Sequence, residues 1–311
     1  MKYITGLLSV IIPTYKRCEL LSRAIQSVLG QTYQNIEVLV VNDNVSPDDE
    51  YSQRLYSLID SIDDDRVRLI SQPRHINGAA ARNAGIREAR GEYIAFLDDD
   101  DYWEPTKAET QVEKFRELGP EWGMVTCLCI LRKGDHIIGA TLPYRDGDIF
   151  LDVLERRTDL GTGAPLIRRT ALDAVGYFDE TLIRHQDLQL FANLTSQYKV
   201  KLIRQYLHNI DISDGQNRPD PEKLKRIKKA YFNSIHGLLD RLTPAQRRRV
   251  MYLNDFETAY AHVKVGEKKK GLMMGACVLR SPKSTYLAAE RCFRKICEKI
   301  LYNPLLKKYG R

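Results

Sequence analysis

The hydrophobic pattern of the first hundred residues alternates between two periods. Residues 8–13 form a compact apolar run closed by Pro13, and 36–41 and 93–97 are further continuous runs rich in β-branched and aromatic side chains. Runs this apolar, broken only by Ser9 and Glu37, predict short strands buried on both faces. Between the first two runs, Leu20, Leu21, Ala24, Ile25, Val28 and Leu29 recur at the spacing of an amphipathic helix that stops at Gly30. A helix over 51–62 leads to a third strand at 67–71. The stretch 77–91, N-G-A-A-A-R-N-A-G-I-R-E-A-R-G, predicts a helix that packs closely through its alanines and ends at Gly91. Strand and helix in alternation predict right-handed crossovers and a mainly parallel sheet with helices on both faces.

The second half changes character. After a helix at 106–118, the runs 124–131 and 136–142 flank Lys133-Gly134-Asp135 and predict an antiparallel hairpin. Residues 164–167 and 200–203 read as further strands, and Leu188, Phe191, Ala192 and Leu194 or Thr195 mark the buried face of a helix that begins near Gln186-Asp187. From Pro221 onward the pattern is helical, in segments 221–242, 244–265 and 284–302 separated by Thr243-Pro244, Gly266 and Ser281-Pro282. The expected organisation is an α/β unit over 1–220, with halves 1–105 and 106–220, followed by a helical extension over 221–311.

Composition excludes some function classes. At 43% hydrophobic residues the chain folds rather than staying disordered. Its net charge of +7 is not spread evenly: residues 261–311 carry 13 Lys and Arg against 3 Asp and Glu, and the preceding 260 residues are slightly acidic. That distribution argues against a general nucleic-acid binder and for one local basic surface facing an anionic partner. No apolar run approaches the roughly 18 residues of a membrane span, and the N-terminus lacks a signal-peptide pattern, so a cytoplasmic protein with reduced thiols is expected. Cys127 and Cys129 fall on one face of a strand and read as packing residues. In the last segment Leu287, Phe293, Ile296, Ile300 and Leu301 line one side while Arg291, Arg294, Lys295 and Lys299 add cations; this suits either an anionic membrane surface or docking on the α/β unit.

The chemistry concentrates at Tyr93 to Pro105, Y-I-A-F-L-D-D-D-D-Y-W-E-P. Four adjacent anions at a strand end are tolerable if water solvates them or a cation neutralises them, and an oxygen-only ligand set favours Mg²⁺ or Mn²⁺. Thr14, Asp43 and Asp98 follow three of the predicted strands on one edge, where parallel sheets bind ligands. The small-residue turn at Gly78, with Arg82 one turn into the helix, suits a phosphate. Asp187 falls in the first turn of its helix, where an acidic side chain is favoured by the dipole whether or not it has a chemical role.

In combination, S-V-I-I-P-T-Y-K-R, V-L-V-V-N-D-N, A-A-A-R-N-A-G-I and Y-I-A-F-L-D-D-D-D-Y-W-E-P resemble, in order, the nucleotide-sugar-binding half of the family 2 inverting glycosyltransferases, which have the GT-A fold, a Rossmann-like sheet. The resemblance implies that Pro13, Thr14, Tyr15 and Arg17 border the nucleotide, that Asp43 contacts its base or ribose, and that Arg82 lies beside it. It also implies that Asp98 and Asp100 form a D-x-D pair. Asp98 would lie on the ribose side, Asp100 would hold the metal that bridges the diphosphate, and Asp99 would take the variable position between them. Gln186-Asp187 resembles the family's acidic motif whose aspartate is the general base, and His208 resembles a histidine that in some members faces the metal. His185, beside the base, is a candidate acceptor-side residue.

The family often has Asp-Asp-Gly-Ser after the second strand, where this chain has Asn42-Asp43-Asn44-Val45. The processive members' Gln-x-x-Arg-Trp motif is absent, so single-sugar transfer is expected. The resemblance thus implies a metal-dependent transfer from a nucleotide sugar, with UDP-sugars favoured, to a glycan or lipid-linked acceptor in bacterial surface polysaccharide synthesis. Two other expectations compete with it. A sugar-phosphate nucleotidyltransferase would want a Gly-rich loop where Thr14-Tyr15-Lys16-Arg17 stands. A catalytically silent nucleotide-sugar or membrane-binding subunit is disfavoured by the intact carboxylates.

Overall fold

In the computed structural model the described residues are 3–44, 46, 48–158, 160–213 and 220–300, with side chains described as far as 294. The first four strands, β1 (Ile4–Thr14), β2 (Ile36–Asn42), β3 (Val67–Ser71) and β4 (Gly91–Phe96), are mutually parallel in the order β3-β2-β1-β4. Their crossovers are α1 (Leu21–Leu29), α2 (Glu50–Asp60) and α3 (Gly78–Glu88). Along β1, β2 and β4 alternate residues enter two different cores. Val10, Val38 and Ala95 pack beneath Leu21, Ala24, Ile25 and Val28 of α1, while Ile11, Leu39, Ile94 and Phe96 pack beneath Ala79, Ala81 and Ile86 of α3. Burial on both faces is why these strands read as continuous apolar runs.

Beyond β4 the sheet becomes mixed. The order continues β8 (Leu166–Arg168), β6 (Trp122–Lys133), β9 (Lys199–Asp211) and β5 (Tyr102–Trp103), with β7 (His136–Ala140) paired to β6 as the expected hairpin. β8 runs antiparallel to both β4 and β6, while β6 and β9 pair in parallel, so the mainly parallel sheet expected from the sequence holds, with β8, β7 and β5 as its antiparallel members. The remaining helices are α4 (Lys107–Arg116), α5 (Phe150–Leu154), α6 (Arg169–Val175), α7 (Gln186–Thr195), α8 (Pro221–Ser234), α9 (His236–Leu239), α10 (Pro244–Lys264), α11 (Lys268–Gly275) and α12 (Pro282–Ile300).

Two helical features of the C-terminal region depart from the sequence pattern. The basic stretch after Gly266 forms α11 and a 3₁₀ turn at Ala276–Arg280, where the sequence pattern marks no separate helical segment. The side chains that seem aligned in sequence on α12 also separate: Leu287 is buried against Leu253 and Val278, whereas Phe293 is 66% exposed. Six residues at 100° each place the two 240° apart on the helix. Ile296, Ile300 and Leu301 lie outside the described side chains. The helical region is not an isolated appendage, because Tyr231, Leu239 and Val250 share a core with Leu154 of α5 and with Leu188 and Ala192 of α7. No described helix is long and apolar enough to cross a membrane.

Close packing of α3 on the sheet depends on its small residues. A Cβ at Gly85 would lie 2.5 Å from Ile11 Cγ2 and 3.2 Å from Val41 Cγ2. Gly85→Val is expected to lower unfolding free energy by about 1–3 kcal/mol through overpacking, measured by chemical denaturation. Gly237→Ala, where an added Cβ meets nothing within 4 Å, serves as the control and is expected not to lower it.

Candidate active site

The carboxyl ends of β1, β2 and β4 converge, because parallel strands in register finish at one edge. Asp43 N donates to Thr14 O at 3.0 Å, and Leu97 N donates to Ile11 O at 3.0 Å, which sets the tetrad beside the end of β1. Four carboxylates then leave the sheet together, and the turn separates them by exposure. The side chains of Asp98 and Asp100 are 41% and 21% exposed, whereas those of Asp99 and Asp101 are 5% and 6%.

The inward pair is internally satisfied. Asp99 Oδ2 lies 2.8 Å from Thr14 Oγ1, which also donates to Arg17 O at 2.7 Å. Burial pushes the Asp99 carboxyl up to about 7, against the opposing pull of Arg17 and the Thr14 hydroxyl. The Thr14 hydroxyl thus lies between the Asp99 carboxylate and the Arg17 carbonyl, within hydrogen-bond reach of both. Asp101 accepts from Asp211 N at 2.9 Å and faces His208 Nε2 at 3.0 Å; burial raises its pKa and the His208 contact opposes the rise.

The outward pair faces arginines. Arg82 Nη2 reaches Asp98 Oδ1 at 2.5 Å and Arg17 Nη1 reaches Asp100 Oδ2 at 2.7 Å. Burial, followed by Asp101 and Asp98, raises Asp100 to about 6. Two open carboxylates with only oxygen donors fit a Mg²⁺ or Mn²⁺ ion that takes its remaining ligands from water and a bound diphosphate. No group of three or more His, Cys, Asp or Glu positioned for a metal exists among the described residues.

Asp43, 2% exposed, accepts from Gln72 Nε2 at 2.7 Å and lies 3.0 Å from His75 Nδ1; burial raises its pKa and His75 opposes that. The His75 ring stacks on Tyr15 with centroids 4.0 Å apart and planes 18° apart. Lys16 takes a left-handed backbone, φ 54°, which brings its N–H to Asn44 Oδ1 at 2.8 Å. Pro13 closes β1 beside them, half-buried, paired in register with Val41.

α7 reaches this edge from the second half. A Cβ at Gly78 would meet Arg82 Nη1 at 2.9 Å and Gln186 Oε1 at 3.8 Å, so the start of α7 and the Arg82–Asp98 pair flank one point at the start of α3. The segment before α7 is tied to α3 by Asn83, which exchanges hydrogen bonds with the Phe178 backbone at 2.9 and 3.1 Å, and by Asn77 Nδ2 donating to Glu180 O at 2.8 Å. Asp187 is half-buried in the first turn, and no hydrogen bond or ion pair holds its carboxylate among the described residues. His185 precedes it with φ 63° and packs edge-on against Tyr231 at 5.8 Å; burial and then Arg156 push its pKa down to about 4.

His208 is turned inward: the ring is 1% exposed, Nε2 meets Asp101 of the tetrad, and Nδ1 lies 3.5 Å from Cys129 Sγ. The cause is the length of β9, which continues past 203 to Asp211 and pairs His208 with Trp103 of β5. Cys127 and Cys129 are buried in the core, as their spacing predicts.

Gln72, His75, Lys16 and Arg23 escaped the sequence reading. The signal for His75 was present, since Q-P-R-H-I-N follows the third parallel strand on the same edge. Arg23 bonds the Asp100 carbonyl and pairs with Asp211 at 3.1 Å, a long-range contact with no local pattern.

The glycosyl transferase family 2 model matches residues 9–174, more than half of the chain, and the chain belongs to that family. It is 37% identical over 251 residues to the putative colanic acid biosynthesis glycosyl transferase WcaA of Escherichia coli K12, covering 79% of this chain and 86% of that protein. It is 32% identical over 221 residues to an uncharacterized glycosyltransferase of Rickettsia felis, covering 69% of this chain but only 35% of that protein. A 106-residue stretch, 34% of this chain and 40% of the relative, is 39% identical to the E. coli UDP-Glc:alpha-D-GlcNAc-diphosphoundecaprenol beta-1,3-glucosyltransferase WfaP. The chain thus spans well under half the length of several relatives it matches. Among solved structures, S. aureus TarS 1-349 superposes with a TM-score of 0.62 at 16% identity, covering 97% of this chain and 91% of that one, which establishes the GT-A-type fold.

Two measurements test this geometry. His208→Ala strands the buried Asp101 and is expected to lower stability by about 3 kcal/mol, equally with Mn²⁺ or a chelator in denaturant titrations; a loss that appears only with metal present would contradict the buried placement. For pH, Asp99 and Asp100 have folded-state pKa values raised above the ordinary 3.8, to about 7 and about 6. Between that ordinary value and about 7 the folded chain keeps protons that the unfolded chain has lost, so these groups make stability fall as pH rises. Asp99→Asn is expected to flatten this decline in metal-free thermal melts.

Proposed function

We propose that the chain transfers one sugar at a time from a UDP-sugar to a hydroxyl of a glycan or lipid-linked acceptor, with Mg²⁺ or Mn²⁺ and inversion at the anomeric carbon. The observation that carries this reading is the division of the tetrad, with Asp98 and Asp100 open on the edge that the start of α7 also reaches. The names of relatives support the donor and acceptor classes. WfaP is described as taking UDP-Glc and a diphosphoundecaprenol-linked sugar, TarS 1-349 has been solved with UDP-GlcNAc, and a Pyrobaculum calidifontis mannosyltransferase, matched with a TM-score of 0.53, has been solved with GDP-Man and Mn²⁺.

In this reading Asp100 would hold the cation and Asp98 would lie on the ribose side; when bound, the cation would supply neutralisation of charge on the departing diphosphate. Arg82 and Arg17, each already against one open carboxylate, remain as cations beside the diphosphate. The buried Asp43, oriented by Gln72 and His75, accepts from the base or ribose, and the Tyr15–His75 stack offers a flat wall for the nucleobase. Thr14 and Asp99 brace the loop from behind. Asp187, unpaired among the described residues, takes the proton of the acceptor hydroxyl as it attacks. One displacement from the side opposite the diphosphate inverts the centre without a covalent intermediate. The basic C-terminal helices are assigned to an anionic membrane surface, making the protein peripheral on the cytoplasmic face, with no role for nucleic acid.

Purified protein with Mn²⁺, a panel of nucleotide sugars and a hydroxyl acceptor is expected to release UDP. Asp187→Asn is expected to lower kcat by about 10²- to 10⁴-fold, the usual contribution of a general base. Asp100→Ala should lower it comparably, and Asp99→Asn far less. Wild-type turnover in both of the first two variants refutes the mechanism.

A further inference from the structure

The loops of the second half and α12 enclose a cleft of about 430 Å³ that is separate from the strand-end site. Arg145, Arg157, Arg204 and Arg294 line it, against Asp152 and Glu290. The acids engage only part of this charge. Asp152, 7% exposed, is held by Arg145 and by Arg157 Nη1 at 2.6 Å, and Glu290 lies 3.5 Å from Arg157 Nη2. Arg204 projects exposed from β9, and Arg294 ties α12 to the wall by donating to Leu142 O and Pro143 O at 3.1 and 3.2 Å. Among the lining residues four guanidinium groups stand against two carboxylates, with Glu155 a further acid 3.7 Å from Arg157 Nη1 and Asp146 near Arg204, so the lining is rich in forked donors suited to phosphate.

Two exposed aromatic side chains flank Glu290 of the cleft along α12. Tyr286 and Phe293 are 67% and 66% exposed, and with Glu290 they stand at i, i+4 and i+7 on the flank of α12 that adjoins the cleft. The side turned to α10 is occupied by Leu287 and Ala288, so the aromatic pair is not used in docking the helix. Along the neighbouring α11 and 3₁₀ turn, Leu272, Met273 and Leu279 are 71%, 72% and 68% exposed, close in sequence to Lys268, Lys269, Lys270 and Arg280. Large exposed apolar side chains set among cations match a surface that is apolar in depth and anionic at its face.

We propose that this cleft binds the phosphate of an anionic membrane lipid, with Tyr286 and Phe293 entering the acyl region beside it. The proposal rests on the peripheral-membrane reading above and moves its centre from the cationic residues of the last helical turns to the arginine cleft. It gives the membrane contact a defined headgroup site and an orientation, with the second-half loops turned toward the bilayer.

Vesicle co-sedimentation of the full chain tests it without any transfer assay. Binding is expected to equimolar phosphatidylcholine and phosphatidylglycerol and not to phosphatidylcholine alone. Combined Arg145→Ala and Arg204→Ala is expected to weaken binding by roughly 25-fold, about fivefold for each removed cation. Phe293→Ser should weaken it severalfold. These side chains are exposed, and Arg157 still partners Asp152 in the double variant, so unchanged thermal midpoints verify that the fold is kept. Wild-type binding by the double arginine variant overturns the proposal. So does loss of binding in Lys268→Gln, Lys269→Gln, Lys270→Gln that exceeds the loss in the arginine variant, since the headgroup would then sit on α11. Sugar transfer to a soluble acceptor with release of UDP by the arginine variant separates a failure here from a failure of the transfer reading.

Discussion

Four carboxylates in succession at the end of a buried strand repel one another, and the architecture around β4 answers that repulsion. Half of the problem is removed by burial: Asp99 is held by Thr14 with its pKa pushed to about 7, and Asp101 is held by His208 and the Asp211 backbone. The other half is left facing solvent with Arg82 and Arg17 against it. A turn that alternates inward and outward side chains therefore converts an unstable run of charge into two supported acids and two available ones. The supports come from β1, β9 and the loop after β1, so the tetrad ties together parts of the chain nearly two hundred residues apart.

The same constraint links the two halves of the catalytic unit. Asp101 requires His208, and His208 lies where it does because β9 is long enough to pair with β5. A ring that resembles a metal ligand in sequence becomes a buried counter-group in the fold. Its second nitrogen meets Cys129, and Gly163 leaves room for the ring, since a Cβ there would come within 2.5 Å of it. Asp187 depends on a different support. Asn77 and Asn83 at the start and middle of α3 fix the segment that leads into α7, and Tyr231 of α8 packs on His185 immediately before it. The helical region after Pro221 thereby takes part in shaping the site through shared packing.

A large part of the fold was legible because it is periodic. β1, β2, β3, β4 and α1 to α4 follow from runs and three-and-four spacings, and the convergence of Thr14, Asp43 and Asp98 follows from their being parallel strand ends. α5, α6 and α11, the two-residue β5 and the extension of β9 beyond Ile203 were not legible. Short elements carry little pattern, and their backbone pairing is set by distant partners. Of the candidate site, the residues in strong local motifs were legible as candidates, whereas Gln72, His75 and Arg23 join it through contacts across the sheet edge.

The chain's residue order by itself determined the alternation of strands and helices, the edge at which the acids emerge and the concentration of positive charge after residue 260, because each depends on periodicity or composition that neighbouring residues carry. Only the tertiary structure decided which two of the four acids stay open, that His208 turns inward, and that Leu287 and Phe293 point to different sides of α12. Those outcomes depend on which side chain or backbone group each residue meets across the fold, and desolvation and pairing at such contacts are properties of the packed chain.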